Sequence, residues 1–315
     1  MAEMVSMRKA YGEALVALGR ERSDIVVLSA DVSNSDHSYY FQEAFPERFV
    51  NVGIAEQSLV DVAVGFACTG YVPLANTFAF LFATRALEMI RTHVCYGKAN
   101  VKLMGAYGGL SDSYDGPTHH SITDLAILRS LPHMNVVVPA GPVALASLLP
   151  EIAAWDGPVY CRLNRNEVPT VYDSGASLAI GRAELLRNGD DVTLVACGLM
   201  VTRALAAAEG LAGQGIEARV LDMHTVKPLD EAALRSAAEE TGAVVTVEEH
   251  SVVGGLGGAV AEYLSGVQPV PIRRVGVQDR FAESGPYDAI LTEYGLAEEH
   301  IVQAASAVVE RKRGA

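Results

Sequence analysis

The run Val62-Ala63-Val64-Gly65-Phe66-Ala67-Cys68-Thr69-Gly70-Tyr71-Val72-Pro73-Leu74-Ala75-Asn76-Thr77-Phe78-Ala79-Phe80-Leu81-Phe82-Ala83-Thr84 carries no charged residue over 23 positions. An apolar run of that length is enough to cross a bilayer. Gly65, Gly70, Pro73 and Asn76 break it up. Glycine closes helices, and proline and asparagine punctuate them, so the stretch reads as a helix ending at Gly70, a strand over Tyr71 to Ala75 and a new helix after Thr77. No membrane span is expected, and the helix–strand–helix order points to an α/β protein.

The same alternation continues on both sides of the run. The first half places strands at Ile25 to Ser29, Phe49 to Val52, Val101 to Gly105, Val136 to Val138 and Val159 to Leu163, with helices near Glu56 to Cys68, Phe78 to His93 and Val143 to Ala154. Met1 to Arg22 reads as an amphipathic helix with Met7, Ala10, Tyr11, Ala14, Leu15 and Leu18 on one face, rather than as a secretory leader. After a polar stretch from Arg165 to Gly189, strands recur at Val192 to Ala196, Ala218 to Leu221 and Ala243 to Val247, with helices from Leu199 and after Pro228. Such alternation predicts parallel sheets covered by helices on both faces. Two domains are expected, 1–177 and 178–315.

Composition narrows the function. The 315 residues hold 24 Lys and Arg against 38 Asp and Glu, a net charge of -14, with no basic run to track phosphates. Nucleic acid is not an expected partner. Cys68, Cys95, Cys161 and Cys197 form no CxxC pair, which fits a reduced, cytoplasmic protein. The glycine cluster Gly254, Gly255, Gly257 and Gly258 fails as a dinucleotide fingerprint because Val260 stands where a third Gly or Ala belongs. It reads as a turn that brings a helix close to its sheet.

Four groups of residues could carry chemistry. Glu56, in Gly53-Ile54-Ala55-Glu56-Gln57, is either a first-turn acid favoured by the helix dipole or a functional acid in apolar surroundings. The loop Tyr107-Gly108-Gly109-Leu110-Ser111-Asp112-Ser113-Tyr114-Asp115-Gly116-Pro117-Thr118-His119-His120 follows a strand, at the end of an α/β sheet where ligands bind, and carries Asp115, His119 and His120. One histidine is expected in a site and one in a structural role. Adjacent imidazoles diverge, so no metal ligand set is expected. Phe78, Phe80 and Phe82, with Arg85, form either core or a platform for a flat ring. Arg162 and Arg165 are either surface charges or an anion-binding fork.

Taken in order, these segments resemble the C-terminal half of a transketolase. The resemblance rests on Gly53-Ile54-Ala55-Glu56-Gln57, Thr77-Phe78 with Thr84-Arg85-Ala86 and Ile90-Arg91, Asp115-Gly116-Pro117-Thr118-His119, Arg129-Ser130-Leu131-Pro132, Val226-Lys227-Pro228-Leu229-Asp230 and Val247-Glu248-Glu249-His250. It covers nearly the whole chain. It implies a parallel-sheet, thiamine-diphosphate-binding pyrimidine domain followed by a smaller transketolase C-terminal α/β domain.

The family's diphosphate- and Mg²⁺-binding domain has no counterpart here, since Gly189-Asp190-Asp191 lacks the GDG pattern. The resemblance therefore implies a split enzyme with a separate N-terminal subunit, economically two chains of each kind in a heterotetramer. By resemblance, Glu56 hydrogen-bonds the pyrimidine N1′ and activates the cofactor. Phe82 stacks on the pyrimidine, with Phe78 as a second wall. Asp115 and His119 read substrate oxygens, His119 also acting in catalysis, and Arg165 contacts a sugar phosphate.

The implied reaction is transfer of a two-carbon ketol unit from a ketose to an aldehyde or aldose. Tyr107 stands where many transketolases have a histidine, and Asn34-Ser35-Asp36-His37-Ser38-Tyr39-Tyr40 lacks the arginine that some members carry there. The cationic clamp is thus expected to shrink to Arg165, and the substrate to differ from an ordinary pentose phosphate. Two related activities, 1-deoxyxylulose-5-phosphate synthase and the beta subunits of 2-oxo acid decarboxylases, share the half-chain logic. A non-catalytic scaffold subunit is the third reading.

Overall fold

The computed structural model describes residues 4–314. Its first eight strands are β1 (Met4–Ser6), β2 (Ile25–Ser29), β3 (Phe49–Asn51), β4 (Val72–Phe78), β5 (Lys102–Ala106), β6 (Asn135–Val137), β7 (Val159–Arg162) and β8 (Glu167–Pro169). Six more follow, β9 (Glu184–Arg187), β10 (Val192–Ala196), β11 (Ala218–Asp222), β12 (Thr225–Lys227), β13 (Val244–Ser251) and β14 (Ile272–Val277).

They form a seven-stranded sheet in the order β12-β6-β7-β5-β4-β2-β3 and a five-stranded sheet in the order β14-β13-β10-β11-β9. Both sheets are parallel except for one antiparallel edge each, β12 on β6 and β9 on β11. The central strands β2, β5, β7, β10 and β11 are buried at every position, as expected where helices cover both faces.

The uncharged run resolves into the helix Glu56–Cys68, a turn at Gly70, and strand β4. No helix among the described residues is long and apolar enough to cross a membrane. Strand β4 runs on to Phe78, three residues beyond the expected Ala75. The long helix expected over Phe78 to His93 is instead three pieces, Ala79–Ala83, Leu87–Met89 and a π-helical segment Ile90–Tyr96. The break falls at Thr84, whose hydroxyl donates to Phe80 O at 2.7 Å and whose backbone leaves the helical region.

The first three positions of the helix expected from Met1 lie outside the described residues. Met4–Ser6 is strand β1 rather than helix, paired antiparallel with β8. The helix begins at Met7, where Ser6 Oγ accepts from Lys9 N. Tyr11, Leu15 and Leu18 on its expected face are buried against the helix Pro142–Ala154, each fully buried Leu contributing about 2 kcal/mol.

The glycine cluster does bring a helix onto the second sheet. A Cβ on Gly257 would lie 2.7 Å from Thr246 Oγ1, and the Glu248 carboxylate accepts from Leu256 N at 2.7 Å and Gly257 N at 2.8 Å, capping the helix Leu256–Val267.

Candidate active site

The first sheet reverses direction at β2, which has β3 on one side and β4 on the other. A crevice opens at such a point beyond the carboxyl ends of the strands. Here it is a cavity of about 440 Å³ lined by residues that include Asp31 after β2, Ile54 and Glu56 after β3, Phe78 at the end of β4, Phe80 just beyond it, and His119 from the loop after β5.

Glu56 opens its helix in the first turn and is 1% exposed. Its partner is Arg85, whose Nη1 donates to Glu56 Oε2 at 3.1 Å. Asp31 sits in the left-handed region at φ 62° and is clamped by Asn51, whose Nδ2 donates to Asp31 Oδ1 at 2.9 Å while its Oδ1 accepts from the Asp31 and Gly53 amides. A non-glycine residue held at positive φ beside a ligand-sized cavity is the kind of strain that functional sites retain.

The aromatic wall is Phe78 with Phe80, near-parallel at 6.4 Å between centroids, and Leu81 beside them. Phe82 is not part of it. It is fully buried and meets Tyr160 edge-on in the core. Residues two apart on a helical turn point about 200° apart, so Phe80 and Phe82 cannot share a face once the segment Ala79–Ala83 is helical.

Tyr107, also at positive φ, stacks on Phe78 at 4.9 Å, and the Arg165 guanidinium covers its ring at 4.9 Å. Its hydroxyl donates to Ser35 O at 3.1 Å. Arg165 is bound to Asp112 and, at 3.3 Å, to Asp115. Burial, and then the neighbouring Asp115, push the Asp112 carboxyl up to about 7. Asp115 is held below its usual range by the hydrogen bond from Asp112 and by Arg165. The two acids are thus shifted in opposite directions around the one guanidinium of Arg165. His119 lies 5.2 Å from Phe80 at the cavity wall. His120 turns inward, is 6% exposed, and is driven toward neutrality by burial. Arg162 is buried and ion-paired with Asp124, so it is unlike Arg165 and is not part of a fork at the cavity.

Three residues that sequence reading did not single out join this set. Asp31 and Asp112 are two. The third is Arg8, which donates from Nη1 to Ser35 O at 3.0 Å and lies 3.4 Å from Tyr107 Oη. Arg8 makes no ion pair among the described residues, and its buried Nε has no partner there. The cationic side of the site is therefore not Arg165 alone. One signal was present in the sequence, because a cation in the first turn of a helix opposes the dipole and asks for another purpose. No cluster of three or more metal-ligating side chains occurs among the described residues.

Comparison with known proteins places this site in context. Residues 3–170 match the family model described as transketolase, pyrimidine binding domain, and residues 181–301 match transketolase, C-terminal domain. The chain is 42% identical over 306 residues to the 6-deoxy-6-sulfo-D-fructose transketolase subunit of Clostridium sp. (strain MSTE9), covering 97% of this chain and 95% of that protein. It is 40% identical to the putative transketolase C-terminal section of Methanocaldococcus jannaschii, over 94% of both chains. A solved structure described as a split gene transketolase, inactive beta4 tetramer, superposes with TM-score 0.93 at 48% identity, covering 98% of this chain and 100% of that one.

Proposed function

The chain belongs to the transketolase family, and from that premise we propose that it is one half of a divided thiamine-diphosphate-dependent ketol transferase. In this reading residues 1–177 are the pyrimidine-binding domain and residues 178–315 the C-terminal domain. A second chain supplies the sites for the diphosphate and Mg²⁺, in a cytoplasmic assembly of two chains of each kind. The observation that carries the reading is one cavity shared by the buried carboxylate of Glu56, the Phe78 and Phe80 rings and His119.

Those residues fit the group the family uses. A flat heteroaromatic ring needs an apolar wall and a buried acid beside it, and Phe78, Phe80 and Glu56 line one cavity. Bound thiamine diphosphate supplies the electron sink for breaking and remaking a carbon–carbon bond beside a carbonyl.

The chain's own residues do the rest. Glu56 holds a proton at the ring nitrogen through Oε1, the oxygen that Arg85 does not engage. Phe78 and Phe80 exclude water from the ring. Asp115 accepts from a sugar hydroxyl, while His119 donates to the oxygen that gains charge and can pass a proton at the cavity wall. Arg8 and Arg165, both against Tyr107, suit a sugar whose far end is an anion. A relative named for a sulfo-sugar supports an anionic terminus other than that of a common pentose phosphate.

The deciding experiment is reconstitution. The chain, its partner half, thiamine diphosphate and Mg²⁺ are mixed with ketose and aldose, and products and carbon dioxide are followed. Aldose exchange without carbon dioxide supports ketol transfer. Carbon dioxide from pyruvate would instead select the decarboxylase or synthase reading, and a well-formed but inert complex the scaffold reading.

A further inference from the structure

The loop that carries Asp112, Asp115 and His119 is closed at its neck by paired backbone bonds, Gly109 N to Ser121 O at 3.1 Å and Ser121 N to Gly109 O at 2.8 Å. Inside that neck, the loop is held by groups from the second sheet and the segments that follow it. Glu249, at the end of β13 and 5% exposed, accepts from Leu110 N through Oε1 at 2.6 Å. Farther along the loop, Gly285 N donates to Ser113 O at 3.0 Å.

The Glu249 carboxylate has no slack. A Cβ on Gly109 would lie 2.4 Å from its Cδ, so the glycine is what lets the loop backbone come within reach. Behind it stands Arg162, itself bonded to Ser121 O on the other side of the neck and to Asp124. Glu249 and Arg162 therefore grip opposite strands of one loop neck from within a buried ion network. Burial pushes the Glu249 carboxyl up to about 7, and a carboxyl oxygen that accepts from a backbone amide in so desolvated a setting makes a directional bond that water does not replace.

We propose that Glu249 is a positioning residue for ketol transfer, through which the C-terminal half of the chain sets the place of Asp115 and His119 against the sugar. The proposal rests on the ketol-transfer reading above. It gives a role to a half whose described residues include none of those lining the Glu56 cavity: the substrate loop takes its position from β13. A loop misplaced by 1 Å can lower turnover about 100-fold, so a single bond at its neck is enough to matter.

The test compares Glu249→Ala, Glu249→Asp and Glu249→Gln by two readouts. The first is amide hydrogen exchange of residues 109–121 in the full chain. Glu249→Ala should exchange there at least ~10-fold faster. Glu249→Asp, which keeps the charge beside Arg162 but withdraws it by one methylene, should do the same with less risk to folding. Glu249→Gln, whose carboxamide oxygen still accepts from Leu110 N, should retain most of the protection.

The second readout is kinetics of the reconstituted two-chain enzyme. Glu249→Ala and Glu249→Asp should lower kcat/KM for the sugars by about 10–100-fold, with thiamine diphosphate affinity within about two-fold of wild type and Glu249→Gln largely rescued. Unchanged exchange in Glu249→Asp overturns the tether whatever the turnover. Faster exchange with unchanged kcat/KM overturns the positioning role. If wild type itself transfers no ketol unit, the functional reading fails and takes the positioning role with it, while the exchange result still shows whether the tether exists.

Discussion

Arg85 holds Glu56 by a 3.1 Å bond across a steep gradient of exposure, the carboxylate side chain 2% and the guanidinium side chain 51% accessible. The acid is buried and its counter-charge stands in the cavity mouth. Arg85 engages only Oε2 of the carboxylate, so in the proposed function Oε1 is the oxygen left for a ring entering that mouth.

Replacing Glu56 with Gln preserves shape and a hydrogen-bonding group but removes the acid proton that the proposed function assigns to the ring nitrogen. Steady-state ketol transfer by the reconstituted enzyme should fall at least ~100-fold, because a missing general acid typically costs that much. Circular dichroism should show an unchanged fold. Normal turnover in a folded Glu56→Gln protein would remove the acid from the mechanism.

Arg8 and Arg165 should separate by charge dependence. Arg165 is already neutralised by Asp112 and Asp115, whereas Arg8 has no ion-pair partner among the described residues. Arg8→Ala should therefore raise KM for an anionic sugar by roughly 10–100-fold and change KM for a neutral analogue little, as expected when a desolvated charged hydrogen bond is lost. Equal effects on both sugars would contradict an anion-binding role.

Asp222 makes stability depend on pH. It is buried at the end of β11, accepts from Tyr172 Oη at 2.6 Å, and burial pushes its carboxyl up to about 7 from 3.8. The folded chain keeps this proton to near neutrality and the unfolded chain gives it up near pH 3.8, so this contribution to stability declines as pH rises from 3.8 through 7. Between about pH 5.5 and 8 the wild type should lose about 2 kcal/mol more than Asp222→Asn in urea unfolding. Parallel pH profiles would show that Asp222 ionises without penalty.

Lys102 is a buried ammonium with every donor used, to Asn100 Oδ1 and Trp155 O at 2.6 Å and to Gly157 O at 2.8 Å. It ties β5 to the end of the helix Pro142–Ala154 and to the turn before β7. Lys102→Met keeps the length but leaves the Trp155 and Gly157 carbonyls without the ammonium, while Asn100 Oδ1 keeps the Gly157 amide, and should lower unfolding free energy by about 3 kcal/mol. A chemical melt within about 1 kcal/mol of wild type would mean that water replaces the ammonium, at the lower bound for such groups.

Elements that announce themselves through composition were legible in the chain. The strands at 25–29 and 192–196 are β-branched runs buried on both faces, and the Glu56–Cys68 helix begins and ends where its acid and the following turn predict. Edge strands were not. Glu184–Arg187 and Thr225–Lys227 gain their strand character from neighbours far along the chain, and their own residues carry no alternation that would show it. In the site, Glu56, Phe78, Asp115 and His119 stood out because acids, rings and imidazoles in a glycine-rich setting ask for a reason. Phe82 misled because a spacing of two suggests one face of a strand, and the backbone changes to helix at Ala79. Arg8 lay hidden in a helix whose apolar face accounted for everything except its first turn.

The short strand Thr225–Lys227 leaves the second sheet's half of the chain and completes the outer edge of the first sheet, on Asn135–Val137. Anyone recombining this protein with a homologue would find no clean seam at the linker. A graft cut there would carry a foreign edge strand into the sheet that holds the cavity. A functional chimera would need Asn135–Val137 and Thr225–Lys227 to come from the same parent, so the heritable unit is larger than either half.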